Sequence, residues 1–209
     1  MANKDDSILK QDACYHVTLG IIDWTDIFVR PVFKQVIIES LNYFVSKRGL
    51  VLYGWCLMTN HLHLLAQSEK GFNLSSIIKD FKKFTARIIL DDIDAEPEAR
   101  RIWILKNFRE AAKSSRQMER FQVWQEKINP IEIDMENLGL LHEQLDLIHN
   151  TPVRERMVSK PEEYLHSSAR DYFGMNGLVN IRLADEKKDP GFILRHIPAY
   201  RYRYIPNIK

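Results

Sequence analysis

At 209 residues, 45% apolar and 28% charged, the chain can bury a full core and reads as one globular domain with appendages. Charges interrupt every apolar run before the ~18 residues a membrane span needs, and the opening Met-Ala-Asn-Lys-Asp-Asp lacks a signal-peptide core, so a cytoplasmic protein with no membrane partner is expected. Net charge is only +2, yet Lys187, Lys188, Arg195, Arg201, Arg203 and Lys209 stand against Glu186 and Asp189 in the last two dozen residues. The remainder is therefore net acidic, and any nucleic-acid surface on it must be a local stripe. Cys14 and Cys56 lie far apart with no Cys-x-x-Cys spacing, so neither a disulfide framework nor a zinc knuckle is suggested and buried apolar cysteines are expected.

In chain order, residues 14–22 (CYHVTLGII) are β-branched and aromatic and predict a strand. Pro31 opens a helical pattern through Val32, Val36, Ile37, Leu41, Phe44 and Val45 that Gly49 ends. Residues 50–58 and 61–67 predict a hairpin about Thr59-Asn60. Asn73 or Ser75 caps a helix with its stripe at Leu74, Ile77, Ile78, Phe81, Phe84, Ile88 and Ile89, and residues 91–98 read as a solvated acidic connection. A second helical pattern runs over 100–120, with Ser114 and Ser115 as a break. Residues 121–133 read as a linker, residues 135–150 as a helix ended by Pro152, and residues 177–183 as a last strand.

The sharpest local feature is Asn60-His61-Leu62-His63. In a strand, residues i and i+2 share a face, so the two imidazoles can converge on one ion while Leu62 points inward. Such a pair suits Mg or Mn beside a phosphate, and half-exposed strand histidines are the plainer alternative. His142 and His149 are further candidates for the same shell, or surface and capping residues.

Six segments together resemble one family in one order: Tyr15-His16-Val17-Thr18, residues 58–65 (MTNHLHLL), Phe81-Lys82-Lys83-Phe84-Thr85, Phe121-Gln122-Val123-Trp124-Gln125, Ile148-His149-Asn150-Thr151-Pro152-Val153, and residues 164–172 (YLHSSARDY). The family is the HUH single-tyrosine transposases, in particular the REP-associated tyrosine transposases, and the resemblance covers roughly residues 13–185. It implies an α+β, ferredoxin-like antiparallel sheet with packed helices, in which the sheet carries the His pair and a helix presents a tyrosine across from it. It also implies Mg or Mn as cofactor and hairpin or single-stranded DNA as partner; a homodimer is one assembly open to the chain, with the oligomeric state left undecided. In such enzymes the tyrosine attacks a phosphodiester, leaving a 5′-phosphotyrosine and a free 3′-hydroxyl. Residues 1–185 are then the DNA-binding domain and 186–209 a basic aromatic tail.

The chain departs from the family's Tyr-Ile-His-x-Asn-Pro-Val string, reading Leu147-Ile148-His149-Asn150-Thr151-Pro152-Val153. The nucleophile position is Leu147, and the family's further metal ligand, an amide one helical turn on, falls at Thr151. Leucine has no nucleophilic atom, so strand transfer from this position is expected to be impaired. The alternatives are an active transposase or nickase using another tyrosine (Tyr164, Tyr172 or one in the tail) or metal-activated water, a decayed copy, and a protein-interaction domain that reuses the fold. The expected DNA contacts are Lys79, Lys82, Lys83 and Arg87 on one helix and Arg109, Lys113, Arg116 and Arg120 on the next, where solvated helix faces are the plain alternative. Tyr200-Arg201-Tyr202-Arg203-Tyr204 alternates stacking and cationic groups, as a single-strand contact or an edge strand would.

Overall fold

Residues 9–95, 99–114 and 120–184 are described by a computed structural model. Strand β1 (Cys14–Gly20) leads through a pair of short 3-10 turns into helix α1 (Pro31–Lys47), then strands β2 (Leu50–Leu57) and β3 (His61–Ser68). Helices α2 (Leu74–Ala95) and α3 (Ala99–Ser114), the short strand β4 (Ile131–Ile133), helix α4 (Leu138–Arg154) and the single turn α5 (Ala169–Tyr172) follow. The strands form one antiparallel sheet in the order β2-β3-β1-β4, the ferredoxin-like arrangement.

Local chemistry accounts for the element ends. Pro31 starts α1, where a missing N–H costs nothing, and Gly49 ends the connection at φ +70, a left-handed turn that glycine adopts without penalty. Asn137 caps α4 by accepting from the Leu140 N–H at 3.1 Å.

Alternation along the strands divides the core in two. Val17, Leu19, Trp55, Leu62 and Leu64 face α1 and α2, while Cys14, Val51, Tyr53 and Leu65 face Leu141, Leu145 and Ile148 of α4. A register shift between Leu52 and Gly54 re-aims β2, and Gly54 allows α4 to come close: a Cβ there would lie 2.8 Å from Leu145 Cδ2. Both cysteines are buried, as their apolar setting predicts, and burial pushes each thiol up to about 12.

Several boundaries differ from those expected. Helix α2 runs to Ala95 through the acidic stretch, because Ile89 and Ile93 continue its buried stripe. The 121–133 linker contains β4, which pairs Cys14 with Ile133. Pro152 lies inside α4, in the last turn before Arg154. Residues 177–183 form no strand; they are irregular and tethered by Arg182 N–H to Leu52 O (2.8 Å) and Asn180 N–H to Asn42 Oδ1 (3.0 Å). Among the described residues no helix is long and apolar enough to cross a membrane.

Candidate metal centre

Pairing of β1 with β3 sets Thr18 opposite His63 and Gly20 opposite His61, at the end of the sheet on the face that α4 covers. The two imidazoles, two residues apart on one strand, converge: His61 Nε2 lies 3.1 Å from His63 Nε2, with the rings nearly perpendicular. Two metal–nitrogen bonds of ~2.1 Å meeting near a right angle leave their nitrogens about 3 Å apart, so this spacing suits a shared ion.

The neighbouring hydrogen bonds fix which nitrogens carry protons. Asn60 Nδ2 donates to Trp24 O (3.1 Å), which turns its Oδ1 toward His61 Nδ1 at 2.6 Å and makes that nitrogen the donor. On the other side His16 Nδ1 donates to Gln144 Oε1 (2.8 Å), so His16 Nε2 accepts from His63 Nδ1 at 3.2 Å, with Thr18 Oγ1 at 3.0 Å from the same nitrogen. With Thr18 donating to Nδ1 the 3.1 Å contact is a direct hydrogen bond, whereas with His63 protonated at Nδ1 both Nε2 atoms present lone pairs to each other. A divalent cation resolves that confrontation, and ligand histidines tied through the second ring nitrogen are the usual supporting arrangement.

Burial keeps both imidazoles neutral. It lowers His61, against an opposing pull from the Glu155 carboxylate, and pushes His63 down to about 3 with the help of the His61 and His16 charges. The donor set is nonetheless sparse: among the described residues no group of three or more His, Cys, Asp or Glu could hold a metal ion.

Helix α4 lies over this face, reaching His16 through Gln144, and Leu147 and Thr151 follow Gln144 at helical spacing. Leu147 is half-buried, and Thr151 Oγ1 donates to Leu147 O at 2.8 Å, which keeps that hydroxyl on its own helix. His149 points elsewhere, its Nε2 2.8 Å from Ser168 Oγ and its ring against Tyr172; His142 is exposed on the far side. Tyr164 and Tyr172 donate their hydroxyls to the carbonyls of Leu57 (2.8 Å) and Tyr53 (2.9 Å), roles in packing rather than attack.

The candidate cations separate into two groups. Lys79, Lys83 and Arg87 are exposed on α2, which packs on the sheet face opposite the histidines. Lys82, expected among them, is instead drawn inward: its ammonium donates to the carbonyls of Gln125 (2.6 Å) and Glu126 (3.3 Å), and burial lowers its pKa. On the second group, the Arg109 and Arg120 guanidiniums lie 5.4 and 5.3 Å from the centre of the Phe121 ring. Lys113 is exposed on α3, whereas Arg116 and the 186–209 tail lie outside the described residues.

Sequence reasoning missed His16, Gln144, Trp24 and Glu155 as neighbours of the pair. Only His16 carried a signal, since it shares the strand parity of Thr18 and faces the same side.

A family model described as "Transposase IS200 like" matches residues 10–110. A solved REP-associated tyrosine transposase bound to a REP hairpin is similar in fold, with a TM-score of 0.54 at 13% identity over 81% of this chain and 85% of that one. No curated protein matches.

Proposed function

Because residues 10–110 match the model of the IS200-like transposases, we propose that the protein binds hairpin or single-stranded DNA beside His61 and His63, with Mg or Mn held there, and is impaired in strand transfer. The DNA-binding domain is residues 1–185, with 186–209 as an appended tail. The observation that carries the reading is Leu147, an apolar side chain one turn along from Gln144 on the helix that reaches His16 beside the pair. Support for the partner comes from the REP hairpin bound by the structural neighbour and from the exposed cations of α3, with those of α2 on the opposite sheet face available to a strand that continues around the domain.

The chemistry follows from the side chains. His61 and His63 supply two neutral donors, oriented by Asn60 and by the His16–Gln144 pair. A bound ion supplies charge compensation at a phosphoryl oxygen. Covalent attack also needs an oxygen nucleophile opposite the phosphate, and leucine has none. The rival is cleavage by activated water or by a tyrosine outside the described residues.

Incubation with labelled hairpin DNA and Mn, resolved on native and denaturing gels beside a Leu147→Tyr variant, separates these. The expected result is retention of DNA by both proteins, with a covalent adduct only from Leu147→Tyr. Cleavage or an adduct from the unmodified chain would overturn the impaired reading, and absence of retention would overturn DNA binding itself.

A further inference from the structure

Beyond the end of β1 the chain does something costly. Asp23 and Trp24 both adopt left-handed backbone geometry, at φ 51 each, within the 3-10 turn Ile22–Trp24. For a bulky aromatic this is an outlier that persists only when its surroundings impose it. Here they do: the Trp24 N–H donates to Ile21 O (3.0 Å), the Thr25 hydroxyl and N–H both bond Ile22 O, and Asn60 Nδ2 holds the Trp24 carbonyl.

The strain does not serve the core, because the Trp24 indole remains 54% exposed. What it achieves is placement: the ring stands edge-on to His61, centroids 5.7 Å apart and planes at 84°. An isolated exposed aromatic is unremarkable on a protein surface. One fixed by a strained turn against a metal-ligand candidate, and tethered through the same asparagine that sets that ligand's tautomer, is part of the site. Helix α3 packs on this turn, and the Arg100–Asp26 ion pair fastens the start of that basic helix to the residues just beyond it.

We propose that Trp24 is a nucleobase-stacking platform for single-stranded DNA, holding the base next to the phosphate that His61 and His63 face. The inference rests on the DNA-binding reading above and adds the group recognised, an unpaired base rather than the sugar-phosphate chain. Every base presents a π face, so contact with an indole tolerates any sequence, while a strand stripped of its bases cannot use it.

The test measures binding of the full chain to a fluorescein-labelled single strand and to an abasic strand of equal length, in the unmodified protein, Trp24→Ala and Trp24→Phe. The expectation is a loss of about ten-fold or more for Trp24→Ala on the base-bearing strand, substantial retention by Trp24→Phe, and no difference on the abasic strand. Equal affinity of Trp24→Ala and the unmodified protein for the base-bearing strand overturns the inference while leaving DNA binding intact. An equal loss on both strands also overturns it, since the ring would then act on the backbone or the fold. If the unmodified protein binds neither strand, the DNA-binding reading fails and this one with it.

Discussion

Gln144 is not one of the paired histidines, yet its Oε1 holds the Nδ1 proton of His16, whose Nε2 then faces His63 Nδ1 as an acceptor. Removing the acceptor with Gln144→Leu releases that chain, and manganese titration calorimetry should show affinity weakened by about 10–100-fold. The His61→Ala/His63→Ala protein should give no binding heat at all; heat unchanged in the double variant would place the metal elsewhere. A second histidine acts on stability instead. His149 is 8% exposed, and burial holds it at about 4 despite the Asp146 charge, against 6.5 for an ordinary histidine. Between those values the unfolded chain binds the proton and the folded one does not, so the stabilisation is complete above 6.5 and declines as pH falls toward 4. The full effect is on the order of 3 kcal/mol. Urea midpoints followed over that range should slope less in His149→Gln, and identical slopes would mean that other groups carry the acid sensitivity.

Helix α2 holds four candidate cations whose roles differ, and the sequence spacing of Lys79, Lys82, Lys83 and Arg87 did not separate them. Lys82 shares the side of the helix that meets residues 121–126, where Trp124 donates its Nε1–H to Thr85 Oγ1 at 2.9 Å and buries the seam. Lys82→Met should therefore lower stability by about 1–2 kcal/mol without changing the salt dependence of DNA binding. Replacing Lys83, Arg87 and Arg109 by Gln should flatten the plot of log affinity against log salt while leaving stability within about 0.5 kcal/mol. Reversal of these two results would exchange the assigned roles. The same locality explains which boundaries could be read from the sequence. Helix α1 and the β2–β3 hairpin carry their own punctuation, in Pro31, Gly49 and Thr59-Asn60. Strand β4 is three residues long and exists only through pairing with β1, and the irregular 177–183 segment alternates like a strand but finds only isolated partners.

At the scale of the molecule, the shared facing of His61 and His63 was legible because strand parity puts residues i and i+2 on one side, whereas the ferredoxin-like sheet was legible through the family resemblance of six segments and not through any local pattern. What parity cannot give is the second half of the site. Helix α4 belongs to a later part of the chain than the family-matched residues 10–110, and its contact with His16 depends on the close approach permitted at Gly54. Trp24 was hidden for a related reason: its position depends on left-handed backbone that residue type alone would argue against.

The border of β2 has its own consequence. This strand ends the sheet, and its outward groups are taken up by the chain's later residues: Leu57 N–H by His166 O, Trp55 O by Ser168 N–H, Leu52 O by Arg182 N–H, and the Tyr53 and Leu57 carbonyls by tyrosine hydroxyls. A visiting strand finds no unclaimed ladder there. The opposite border is β4, three residues long with Ile131 51% exposed. Among the described residues, growth of the sheet by addition of another chain is thereby directional, left to a margin too short to propagate a ladder.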